Sequence, residues 1–230
     1  MEPTFGKAPP LGAPFLPNAV IFDMDGLMID SERPGIRAWI DAARELGWDM
    51  AEELILQAVG RNEESTKNLL IDAFGPGFPY EKVRDLTRER IIERAEKEGI
   101  PHRPGLIALL DHLAALKVPL GVATSTDREA ALWKLRKAGI LERFSAMTFG
   151  DEIRRGKPDP DIFLLAAARL GEAPRDCIGF EDSPAGLMAL HAAGIRSVFV
   201  KDILEPSPEV LATVWHRCAD LAEARALFGH

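Results

Sequence analysis

The spacing of apolar residues changes character twice along the chain. After a proline-studded start, Val20, Ile21 and Phe22 form an unbroken apolar run, the pattern of a buried strand. From residue 33 the rhythm becomes helical, with Ile36, Trp39, Ile40 and Ala43 on one face. The pattern predicts helices over 33–48, 52–60, 63–75 and 80–99. Gly60, Gly75 and Gly99 close the last three, as left-handed residues just past a helix end. The run Gly75-Pro76-Gly77-Phe78-Pro79 forces a sharp break between two of them. No strand-like run interrupts residues 34–100.

From Pro104 the pattern alternates. Helical spacing over 104–117, 127–139, 160–171 and 184–194 is interleaved with apolar runs at 119–124, 145–150, 176–181 and 196–200. Near-continuous apolar strands alternating with helices predict a parallel sheet covered on both faces. Gly139-Ile140 and Gly194-Ile195 end two of these helices with the Schellman signature, a glycine followed by an apolar residue. The expected fold class is therefore α/β, a Rossmann-like parallel sheet flanked by helices, with an all-helical insertion after the first strand.

Composition narrows the partners. The 230 residues are 47% apolar, enough for a sizeable core, and the net charge of −8 disfavours a nucleic-acid groove. The two cysteines, Cys177 and Cys218, have no metal-ligand spacing and are expected as buried, reduced thiols. The five histidines show no ligand spacing either. No apolar window is long enough for a membrane span, and the first 17 residues lack the charge and apolar pattern of a signal peptide. The expectation is a cytoplasmic enzyme with a small-molecule substrate, no membrane or nucleic-acid partner and no obligate protein partner.

Ligands in parallel sheets sit beyond the carboxyl ends of the strands, so the residues there carry the functional signal. The first strand is followed by Asp23, Asp25 and Gly26, the second by Thr124, Ser125 and Thr126. The third is followed by Asp151 and Glu152 with Lys157 soon after, and the fourth ends in Glu181 and Asp182. Two buried carboxylates one residue apart repel, and a divalent cation offsets that repulsion. Clustered carboxylates suit Mg²⁺. Lys157 can hold a carboxylate and a phosphate oxygen, and the Thr124 hydroxyl can donate to phosphate. Thr126 and Glu129 have capping-box spacing, which places a helix N-terminus at this loop. Each motif alone is also explained by helix capping: Asp159 before Pro160, or Asp182-Ser183 before Pro184. All four in order at strand ends point to phosphoryl transfer.

The segments Phe22-Asp23-Met24-Asp25-Gly26, Thr124-Ser125, Gly156–Phe163 and Gly179–Gly186 together resemble the haloacid dehalogenase superfamily of phosphohydrolases. The resemblance covers the chain after its N-terminal arm, and the insertion is similar to the helical cap of one branch. It implies an arm over residues 1–17, a core over 18–32 and 104–230, and a cap over 33–103. It further implies that Asp23 is the nucleophile and forms an aspartyl-phosphate, with Asp25 as general acid and base. Lys157 and Thr124 would stabilise the phosphoryl oxygens, with Ser125 beside them. Mg²⁺ would be held by Asp23, the backbone carbonyl of Asp25 and Asp182, with Glu181 close by.

Within the family the chain resembles sugar-phosphate phosphatases and β-phosphoglucomutase. Gly35 and Asp127 stand where the mutase has basic side chains, which favours hydrolysis over mutase transfer. The cap is expected to close over the site and select the leaving group, with Arg61, Asn62 and Lys67 as its substrate-binding candidates. Trp39, Trp48 and Trp133 are expected in cores. The alternative of another class is a phospho-acceptor or binding module without turnover. The acid/base Asp25 beside Asp23 and the cap argue against it.

Overall fold

The computed structural model describes residues 16–59 and 63–229. The arm expected over 1–17 lies outside the described residues except for Leu16 and Pro17. By contacts the chain forms two compact units, one holding the chain up to Ile29 and from Pro101 onward, the other Asp30–Ile100. These boundaries lie a few residues before those expected at 33 and 103.

The first unit is built on six strands: β1 (Ala19–Phe22), β2 (Leu120–Ala123), β3 (Ala146–Thr148), β4 (Cys177–Glu181), β5 (Arg196–Val200) and β6 (His216–Cys218). All neighbours pair in parallel, in the order β3-β2-β1-β4-β5-β6. The winding reverses at β1, so the crevice beyond its carboxyl end, between β2 and β4, is the switch point where such sheets bind ligands. Every residue of β1, β2 and β4 is buried, which is why their sequences are apolar without alternation. Helices α5 (Leu106–Ala115), α6 (Arg128–Lys137), α7 (Asp161–Leu170) and α8 (Pro184–Ala193) make the crossovers, and α9 (Pro208–Leu211) and α10 (Leu221–Ala224) follow. Ile162, Phe163 and Ala166 of α7 and Ala189 and Leu190 of α8 pack against Ala19, Ile21 and Cys177. Phe22 of β1 stacks on Phe180 of β4 at 5.0 Å between centroids. In this core the two thiols are free and buried, and burial pushes Cys177 up to about 11 and Cys218 to about 12.

The second unit is helical: a long helix α1 (Glu32–Glu45), a short α2 (Glu52–Leu56), then α3 (Glu63–Phe74) and α4 (Tyr80–Glu98). Trp48 packs edge-on against Phe74 and Phe78, as expected of a core tryptophan. Trp39 instead lines a cavity of about 300 Å³ with Ile36, Ile55, Tyr80, Arg84 and Arg88. No described helix is long and apolar enough to cross a membrane.

Candidate active site

Asp23 follows β1 directly, and its backbone N–H continues the ladder by donating to the Phe180 carbonyl. That register sets Asp23 beside the end of β4, where Glu181 and Asp182 emerge. Carboxylate oxygens of Asp23, Glu181 and Asp182 lie within 4.8 Å of one another. Asp23 and Glu181 are buried, at 7% and 1% exposure, so their charges have little solvent to share them with. The Lys157 ammonium bonds Asp23 and, at 2.8 Å, Glu181 Oε1.

One lysine does not balance three acids. Burial first, and then Glu181, hold Asp23 above its ordinary 3.8, to about 8, against the lowering pull of Lys157. Burial, Glu181 and Asp23 likewise hold Asp182 well above the carboxylate range. Lys157 is raised as well: burial opposes its charge, yet Asp23 and Glu181 outweigh burial and keep the ammonium protonated. A compact, oxygen-rich, undercompensated anionic cluster fits a hard divalent cation.

The three acids are not equivalent. Both oxygens of Glu181 are engaged by protein donors: Oε1 by Lys157 and the Ser183 hydroxyl at 3.1 Å, Oε2 by the backbone N–H of Asp182 at 2.8 Å and of Ser183 at 3.3 Å. Asp23 and Asp182 are the better-placed ligands, with Glu181 as their charged neighbour. Ser183 is also the N-cap of α8, accepting from Gly186 N–H at 3.0 Å with Pro184 at the first helical position. So the Asp182–Pro184 stretch is a helix cap and part of the site together.

Two glycines make room for this arrangement. A Cβ on Gly26, which has φ +83°, would strike the Asp182 carboxylate, and one on Gly186 would strike that of Glu181. The motifs at 22–26 and 179–186 need glycine because backbone approaches carboxylate there.

Asp25 sits two residues beyond Asp23 in a tight turn, with Gly26 N–H donating to the Ile29 carbonyl at 3.0 Å. Its carboxylate is held through both oxygens. Thr126 Oγ1 donates to Oδ2 at 2.8 Å, and Lys134 Nζ of α6 donates to Oδ1 at 2.6 Å. This corrects the capping box expected from Thr126 and Glu129. The N-cap of α6 is Asp127, which accepts from Ala130 N–H at 3.0 Å, and Thr126 turns to Asp25 instead. The site also does not lack a second cation because Asp127 is acidic. Lys134, on the following helix, supplies it, although it lies outside the loop residues that follow the strand. Its signal in the sequence was its helical spacing from Asp127 and Ala131, which puts it on the same face.

Thr124 is buried at the end of β2, where its Oγ1 accepts from Thr126 N–H at 3.1 Å, and Ser125 beside it is exposed. Asp151 and Glu152, the acids after β3, serve the scaffold. Asp151 accepts from Arg128 N–H at 3.2 Å, and Arg169 above all holds Glu152 down to about 2. Asp159 does not cap α7 either: Pro160 is its N-cap residue, and Asp159 pairs with Arg155.

In the helical unit, Lys67 pairs with Glu81 and lies 5.8 Å from the Tyr80 ring centre. Arg61 and Asn62 lie outside the described residues. Among the described residues, the cations lining the cavity of this unit are Arg84 and Arg88, both paired with Glu63.

Comparison with known proteins agrees with this geometry. The family described as "Hydrolase: haloacid dehalogenase-like hydrolase" matches residues 17–194. The phosphorylated carbohydrates phosphatase of Thermotoga maritima is 33% identical over 181 residues, spanning 79% of this chain and 83% of that one. The β-phosphoglucomutase of Bacillus subtilis is 33% identical over 195 residues, spanning 79% and 82%. A crystal structure of a HAD family hydrolase from Deinococcus radiodurans R1, with bound phosphate and sodium, superposes with a TM-score of 0.76 at 26% identity, over 91% of this chain and 93% of that one. The sheet order, the acids at its switch point and these similarities place the chain in the haloacid dehalogenase-like hydrolase family.

Proposed function

We propose that the protein is a Mg²⁺-dependent phosphatase that hydrolyses a small phosphomonoester, a sugar phosphate or a similar metabolite, through an aspartyl-phosphate on Asp23. The observation that carries this reading is the buried Asp23 carboxylate, flanked by Lys157 and Asp182 and followed two residues later by a second, separately anchored carboxylate. A binding module needs the first acid and the cation site. Only turnover needs the second.

In the first step an Asp23 oxygen attacks phosphorus, the P–O bond to the leaving group breaks, and Asp25 gives its proton to the departing oxygen. In the second, water loses a proton to Asp25 and attacks the same phosphorus, which frees the Asp23 carboxylate and inorganic phosphate. Lys157 and the Thr124 hydroxyl face the charge on the phosphoryl oxygens, with Ser125 next to them. Asp23, Asp182 and the Asp25 carbonyl would hold Mg²⁺, which offsets the charge of the acids and polarises the phosphoryl group. Glu181 keeps Lys157 and the Asp182 backbone in place.

Incubation with a panel of phosphorylated sugars and sugar alcohols tests the proposal. Phosphate release that stops on complete chelation and returns with Mg²⁺ is the expected result; turnover indifferent to chelation contradicts it. The similarity to the Bacillus mutase keeps phosphosugar mutase activity as the second reading. Efficient conversion of β-glucose 1-phosphate to glucose 6-phosphate with a bisphosphate primer would establish it instead.

A further inference from the structure

Building on the phosphatase reading, we propose that Lys134 is a positioning residue for catalysis: with Thr126 it clamps the Asp25 carboxylate in the orientation from which that group transfers protons. Asp25 stands on a turn, and its side chain has two free torsions unless something fixes them. Here each oxygen has its own anchor, Lys134 on Oδ1 at 2.6 Å and Thr126 on Oδ2 at 2.8 Å. The two anchors come from one element and its lead-in, so the helix backbone fixes the spacing of their Cα atoms. Thr126 precedes the Asp127 cap of α6, and Lys134 lies two turns along, one turn after Ala131, which is fully buried. The Lys134 and Asp25 side chains are 22% and 20% exposed, so the pair is largely withdrawn from solvent.

The chemistry of the two anchors differs in a useful way. An ammonium only donates, so Lys134 can orient the carboxylate but cannot accept the proton Asp25 carries. A hydroxyl both donates and accepts, so Thr126 can stay hydrogen-bonded when Asp25 is protonated and when it is not. The clamp therefore holds through both half-reactions. Misplacing a reacting group by about 1 Å is worth about 10²-fold in rate, and that sets the size of the effect.

The discriminating variant is Lys134→Met, which keeps length and volume and removes the donor. Phosphoryl transfer to Asp23 from an activated aryl phosphate needs little protonation of the leaving group, whereas transfer from a sugar phosphate needs it fully. In single-turnover measurements, Lys134→Met should slow transfer from the sugar phosphate about 10- to 100-fold and from the aryl phosphate less than about threefold. Breakdown of the phospho-enzyme should slow for both, and half-saturation by Mg²⁺ should stay put. Lys134→Arg should recover most of the loss, and Thr126→Val should show the same leaving-group split at smaller size. A purely structural ion pair would slow both substrates alike; that outcome, or no loss, overturns the proposal. If Lys134→Met does not fold, the split in Thr126→Val decides. Wild-type protein that releases no phosphate from any monoester overturns the phosphatase reading and this one together, whereas active wild type with indifferent variants overturns this one alone.

Discussion

In the proposed reaction Asp23 must be ionised to bind a cation or attack phosphorus, yet burial and Glu181 favour its protonated form. In the unfolded chain it ionises near 3.8, and in the metal-free fold only near 8. Between those values the unfolded chain has released a proton that the fold retains, so metal-free stability falls as pH rises through the window. Mg²⁺ needs the ionised form, so its affinity and its stabilising effect rise over the same range. At 100 times Kd a ligand adds about 2.7 kcal/mol, or about 5–10 °C in Tm for a chain of this size. Thermal melts with one fixed Mg²⁺ concentration should show a gain of that order at pH 8 that shrinks towards pH 5. A gain that does not change with pH contradicts the charge balance described here. The acids and Lys157 were legible in the sequence because each follows a strand at the sheet's carboxyl edge. The saturation of Glu181 was not, since it depends on where two backbone N–H groups point.

The strands and helices that were legible are those with full faces to bury. β1, β2 and β4 are apolar throughout, and α5 buries Leu106, Leu109, Leu110 and Leu113 at helical spacing. β6 was missed because His216, Arg217 and Cys218 form a short edge strand with one neighbour and two polar residues. α6 starts one residue later than its sequence pattern suggests, because Thr126 and Asp127 are both good caps and only the tertiary partner, Asp25, decides between them. That division of labour is testable. Asp127→Ala removes a cap worth about 1 kcal/mol, so Tm should drop by about 2–4 °C with kcat within about twofold of wild type. A large loss of kcat without a change in Tm would show that Asp127, and not only Thr126, belongs to the chemistry.

At the scale of the molecule, the reversal of strand order at β1 gathers residues far apart in sequence. Asp23, Thr124, Lys157 and Asp182 come from four crossings of one sheet, and the helical unit enters between β1 and α5 without interrupting that sheet. Helix–strand alternation made this architecture legible. The cavity lined by Trp39 was not, because a tryptophan at helical spacing looks the same beside a core or a cavity. In the proposed mechanism the two acids after β1 have different jobs: Asp23 carries the phosphoryl group and Asp25 moves the protons. Rapid-quench labelling with an activated phosphate ester, with mass spectrometry of the trapped protein, tests it directly. Asp25→Asn should accumulate label on Asp23, because breakdown slows by about 10²- to 10⁴-fold while formation with that leaving group suffers less. Asp23→Asn should take up none. Stable label on a residue other than Asp23, or label on the Asp23 variant, would contradict the account.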